Sequence, residues 1–146
     1  LAAAYENIVS TKEASGNYSQ VMEIIKNRPK NFTVFSGDDA SAIPMISLGA
    51  DGLVSVCANE IHKETSKMVE HALNGSFHFA RKINYKILPL MEANFIESSP
   101  APCKFVMKEM GLLEENLRLP LVPVSKGCAE KLRSVIKDLG YKQTWQ

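Results

Sequence analysis

Lys12 is the residue whose type and position most clearly invite chemistry. It ends the apolar run in Asn7-Ile8-Val9-Ser10-Thr11-Lys12-Glu13-Ala14-Ser15-Gly16, where a short turn of acidic and small residues leads to a glycine and a helix start. An ammonium withdrawn from water at the end of a buried strand sheds its proton more readily than it stays charged and unpaired. A neutral amine attacks carbonyl compounds, and the covalent product is a Schiff base. A plainer role fits the same position: a strand-end lysine whose stem packs while its ammonium reaches solvent. Position alone leaves both open.

Other residues compete for attention. Gly37 follows Ser36 at the mouth of the next predicted strand. A glycine there lets backbone approach a ligand closely, or simply turns the chain ahead of an aspartate-capped helix. Asp38 and Asp39 suit helix caps better than acids in a mechanism. Val54, in Leu53-Val54-Ser55-Val56, reads as a core residue by its side chain. His62, His71 and His78 lie on or beside predicted helices without the spacing of metal ligands, which assigns them to the surface. Cys57, Cys103 and Cys128 form no close pair and fit buried, reduced thiols in a cytoplasmic protein.

The elements that must position these groups follow from periodicity and turn signals. Residues 1–6 (Leu-Ala-Ala-Ala-Tyr-Glu) read as the end of a helix, and 8–12 as a short strand. Ser15 or Asn17 caps a helix reaching about residue 27, with Val21, Ile24 and Ile25 as its apolar stripe. Residues 32–35 form a second strand, β-branched and aromatic. A helix carrying Ile43, Ile46 and Leu48 comes next, with Pro44 near its start, and residues 53–56 make a third strand. Strand–helix alternation at this spacing predicts parallel strands with helical crossovers. From residue 59 the pattern changes to helices, over about 60–73, 77–95, 102–110 and 126–139, the last two closed by Gly111 and Gly140. Residues 118–123 are extended and punctuated by prolines, with Arg118 read as a packing residue.

Composition bounds the function classes. The 146 residues suffice for one domain with an ordinary core, being 45% hydrophobic and 23% charged with a net charge of +1. That balance leaves no electrostatic footprint for nucleic acid or an anionic membrane. No apolar run approaches the roughly 18 residues of a spanning helix, and no secretory signal pattern opens the chain. The first residue is Leu1 and not methionine, so a processed, cleaved or partial polypeptide is expected.

Four separated stretches resemble the class I pyruvate-dependent aldolase family, and within it the dihydrodipicolinate synthases. They are Lys12-Glu13-Ala14-Ser15-Gly16, Ser36-Gly37-Asp38-Asp39-Ala40, Gly52-Leu53-Val54-Ser55-Val56-Cys57-Ala58-Asn59 and Arg118-Leu119-Pro120-Leu121-Val122-Pro123. A weaker fifth is Pro100-Ala101-Pro102-Cys103-Lys104. Their order and spacing match the C-terminal half of that family, across essentially the whole chain. Departures include Ser10 where the family usually has glycine, Thr11 where it has a branched apolar residue, and Ser99 in an otherwise Asn-Pro-x-Pro-x-Lys pattern.

The resemblance implies an α/β fold, a partial (β/α)8 TIM barrel made of the last three βα units, followed by C-terminal α-helices. It divides the chain into residues 1–58, the partial barrel, and 59–146, the last barrel helix and helical region, in one structural unit. It makes Lys12 the catalytic residue that forms an imine with pyruvate, with no metal or organic cofactor. The imine becomes an enamine that attacks aspartate semialdehyde, in the biosynthesis of lysine and diaminopimelate. Substrate-binding roles fall to Gly37 and to the backbone carbonyl of Val54. The family's proton-shuttling tyrosine, its paired threonines for the pyruvate carboxylate and its arginine for the second substrate belong to the half these residues do not match. Tyr5, Tyr18, Tyr85 and Tyr141 do not correspond to that tyrosine. These 146 residues alone are therefore expected to turn over little substrate.

Three strands cannot close a barrel, so their edges and inner face predict association with the missing N-terminal half or with a second copy as a homo-oligomer. Alternatives remain open: a sialic acid lyase or keto-sugar-acid aldolase of the same family, or a truncated, non-catalytic assembly module.

Overall fold

The structure, a computed structural model, describes residues 2–141. Strand β1 (Ser10–Glu13) leads into helix α1 (Tyr18–Asn27), strand β2 (Thr33–Ser36) into α2 (Ala42–Ser47), and then comes the short strand β3 (Gly52–Leu53). The strands form one sheet in the order β1-β2-β3, both neighbours parallel. Lys12 stands opposite Phe35, and Phe35 opposite Gly52. The fold is thus α/β with a small parallel sheet.

Local chemistry explains the boundaries. Asn17, one of the two caps foreseen for α1, accepts the backbone N–H of Gln20 at 3.2 Å. Residues 2–6 form turns and not a helix end. One exposed turn of chain gives a helix nothing to pack against, and isolated nucleation is unfavourable. The third strand was expected over 53–56 but covers only two residues. The N–H groups of Val56 and Cys57 point to the carboxylate of Asp39, at 2.9 and 3.2 Å, instead of entering a ladder.

After β3 a 3-10 turn, η1 (Cys57–Asn59), precedes α3 (His62–Leu73), α4 (Phe77–Ala93), α5 (Ala101–Glu109) and α6 (Lys126–Asp138). Gly111 and Gly140 end the last two with φ of 76° and 84°, the left-handed conformation that a glycine C-cap supplies at little steric cost. Helix α3 packs along α4, and α6 lies against α4 and α5. Their facing stripes, including Met68, Ile87, Leu90, Val106, Leu132 and Ile136, form the larger buried cluster. A smaller one joins Val34 of β2 to Val21 of α1, Met45 of α2 and Ala50.

The sheet therefore has one packed face. Val34, fully buried, looks toward the helices, while the alternate positions look the other way. On that second face Ser10 and Lys12 are exposed and Phe35 is half-buried across Gly52. Arg118, Leu119, Pro120, Val122 and Pro123 are exposed, Leu119 by 87%, while Leu121 is half-buried beside a shallow pocket shared with Glu97, Ser98 and Ala101, so Arg118 is not the packing residue expected.

Candidate active site at the strand mouths

Lys12, Gly37 and Val54 lie at the C-terminal ends of three adjacent parallel strands. The N–H of Gly37 donates to the Glu13 carbonyl at 2.7 Å, and that of Val54 donates to the Ser36 carbonyl at 2.8 Å. Pairing thus continues past the strand ends and brings the three positions to one rim.

The relation between Lys12 and Gly37 is steric. A Cβ built on Gly37 would lie 2.8 Å from Lys12 Cε, 2.9 Å from Lys12 Cγ and 2.9 Å from Ala14 Cβ. Cε could move, but Cγ sits near the root of the side chain and Ala14 Cβ is fixed to backbone. Gly37 leaves room for the lysine stem, which crosses the place where any other residue would put its side chain. Its φ is not positive, so space and not conformation requires the glycine here.

Glu13 anchors the strand carrying Lys12. Successive strand residues face opposite sides, so its carboxylate lies beneath the sheet while Lys12 lies above. Glu13 Oε1 accepts the N–H of Ser15 at 2.6 Å, and Oε2 accepts Gln20 Nε2 at 3.1 Å from α1. Hydrogen bonding from Ser15 holds its carboxyl below the usual range. The turn following the lysine is thereby tied to α1.

Asp38 and Asp39 divide the work that a capping pair was expected to share. Asp38 Oδ2 accepts the N–H of Ser41 at 2.9 Å, ahead of α2. Asp39, 1% exposed, reaches across to the next turn, accepting the Ser55 hydroxyl together with the N–H groups of Val56 and Cys57. These donors satisfy a buried carboxylate and fix the turn that follows Val54. Sequence alone did not show this reach. The signal was two aspartates in succession where one helix start has use for one.

Two expectations need correction. Val54 is not a core residue; it lies just beyond β3 and is 46% exposed, because the sheet face it joins is open. Lys12 is likewise exposed, since no described element covers its side of the sheet. The three cysteines are free and buried, as their spacing suggested. Among the described residues, no helix is long and apolar enough to cross a membrane.

A model of the dihydrodipicolinate synthetase family matches residues 1–139. The 4-hydroxy-tetrahydrodipicolinate synthase of Koribacter versatilis is 46% identical over 138 residues, which make up 94% of this chain and 46% of that protein. The crystal structure of dihydrodipicolinate synthase from Aquifex aeolicus superposes with a TM-score of 0.97 at 38% identity, covering 99% of this chain and 50% of the other. The dihydrodipicolinate synthase from Acinetobacter baumannii, solved in complex with pyruvate, gives 0.88 at 38% identity, over 92% of this chain and 46% of its own. The chain spans about half the length of the curated relatives it matches. By sequence and by structure, the chain belongs to the dihydrodipicolinate synthetase family.

Proposed function

We propose that these residues supply the Schiff-base half of a dihydrodipicolinate synthase, a lyase that condenses pyruvate with aspartate semialdehyde. The three strands would be the last three of an eight-stranded barrel, with active-site groups at the C-terminal mouth where this fold gathers them. The observation that carries the proposal is the lysine stem of Lys12 laid across Gly37 at that mouth.

In this mechanism Lys12 Nζ attacks the keto carbon of pyruvate, and water leaves to give an iminium. Its positive charge acidifies the adjacent methyl, which loses a proton and becomes an enamine. The enamine carbon bonds to the aldehyde carbon of aspartate semialdehyde, regenerating the iminium while the aldehyde oxygen takes up a proton. Addition of water to the iminium carbon then releases the product and frees the Lys12 amine. The chemistry is covalent through the lysine and uses no metal or organic cofactor. Gly37 positions the amine by its missing side chain, and the Val54 backbone forms the facing wall of the pyruvate site.

An exposed Lys12 is poorly placed for this alone, because the nucleophile must be neutral and shielded. The open sheet face, the two unpaired edges and the half-length match support completion by the family's other half, or by further copies in a homo-oligomer. Beside the β3 edge lies a groove of about 600 Å³, lined in part by Leu53, Ala58, Val69 and Leu73, which suits an apolar element from such a partner. The proton relay and carboxylate donors would come from there, so the 146 residues alone turn over little substrate.

The test is complementation. The purified chain is assayed for condensation alone and after co-expression with the non-matching N-terminal half of a close relative. Activity with aspartate semialdehyde appearing only in the complemented sample supports the proposal. A complemented, folded barrel that forms no pyruvate imine, or that prefers a sugar aldehyde, overturns it.

A further inference from the structure

Behind the turn that carries Val54 lies a buried acid that the mechanism does not use. Glu60 is 3% exposed and Asn94 is fully buried. Asn94 Nδ2 donates to Glu60 Oε2 at 2.7 Å and lies 3.5 Å from Cys57 Sγ. Asn94 Oδ1 has no hydrogen-bond partner among the described residues, and Glu60 Oε1 has none of ordinary strength, the Cys103 thiol being a weak further donor at this carboxyl. One hydrogen-bonded pair thus contains two poorly satisfied acceptors. Leaving both desolvated without a good donor is costly. A single proton on Glu60 shared with Asn94 Oδ1 would remove both deficits, because the edges of a carboxylic acid and a primary amide are complementary, each offering one donor and one acceptor.

The surroundings favour that proton. Asp39 faces Glu60 from the loop after β2, the Cys57 thiol from η1 and the Cys103 thiol from α5, while the end of α4 contributes the neutral Asn94. None of these groups is a cation. Burial first, and the Asp39 charge as well, push the Glu60 carboxyl up to about 8 from an ordinary 4.5. Burial also raises both thiols, Cys103 to about 12, so neither is an anion near neutrality.

We propose that Glu60 keeps its proton in the folded protein at neutral pH and donates it from Oε1 to Asn94 Oδ1, closing a two-bond acid–amide lock between the turn after β3 and the end of α4. The lock is pH-sensitive. The unfolded chain releases this proton near 4.5 and the folded chain only near 8, so between those values folding takes up a proton and rising pH favours unfolding. The Glu60 contribution is complete below 4.5 and is lost as pH climbs through about 8.

Infrared spectroscopy and pH-dependent unfolding of the intact protein test this independently of catalysis. At neutral pH the wild type should show a protonated-carboxyl stretch that is absent in Glu60→Gln and fades as pH passes about 8. Across the window the unfolding constant of the wild type should gain a factor approaching ten per pH unit relative to Glu60→Gln, whose amide supplies the same donor at every pH. Absence of the band at neutral pH overturns the proposal. So does a Glu60→Gln protein that parallels the wild type across the window or fails to fold.

Discussion

The helical region and the three-stranded sheet solve the problem of burial differently. Helices α3 to α6 turn their apolar stripes on one another and enclose a core in which Met68, Ile87, Leu90 and Leu132 are within 2% of full burial. The sheet completes only half of that task. Beneath it Val34 is sealed by α1 and α2, while above it Lys12 and Val54 are exposed and Phe35 is only half-buried. Every residue assigned to chemistry lies on this unfinished side. On the proposed function, stability and reactivity would lie in different parts of one short chain, and the reactive part would be the one a partner completes.

Perturbing each side in turn sharpens the contrast. Leu132→Ala, in the enclosed helical core, should lower the unfolding free energy by about 2–5 kcal/mol in denaturant titrations. On the open rim Val54→Ala should cost less than about 0.5 kcal/mol in the isolated chain, as for a surface substitution. Equal losses would erase the distinction between the regions. Asp39→Ala leaves the N–H groups of Val56 and Cys57 without their acceptor in a buried turn. It should cost on the order of 1–3 kcal/mol by the same titration, and a result near zero would detach Asp39 from the architecture of the rim.

Gly37→Ala tests the rim without removing the proposed nucleophile, Lys12. A methyl group would displace the Lys12 stem, and a misplacement near 1 Å should slow imine formation in the complemented barrel on the order of 10²-fold. An unchanged rate would show that the stem has room elsewhere. Asn17→Ala, which removes the cap of α1, should cost about 1 kcal/mol in thermal or denaturant unfolding, less than Leu132→Ala and more than Val54→Ala.

Much of this arrangement was legible in the chain. Strand–helix alternation around Ile8, Phe32 and Leu53 predicted the parallel sheet, and Gly111 and Gly140 marked helix ends by type and place. Lys12 and Gly37 were singled out before their contact was visible. What escaped was tertiary. Val54 looked like core because an apolar residue in an apolar run carries no record of which sheet face is covered. The reach of Asp39 to residues 55–57 escaped for a similar reason, since a carboxylate that caps a local helix and one that crosses to the next turn occupy the same kind of sequence. The exposure of residues 118–123, Leu121 apart, is equally invisible in their apolar and proline-rich types.

The most direct test is chemical. The complemented barrel is incubated with pyruvate, reduced with borohydride and digested, and the modified peptide is located by mass. The account predicts one pyruvate-derived adduct on Lys12, absent when Lys12→Ala is treated identically. An adduct on any other lysine, or undiminished trapping in Lys12→Ala, would contradict it.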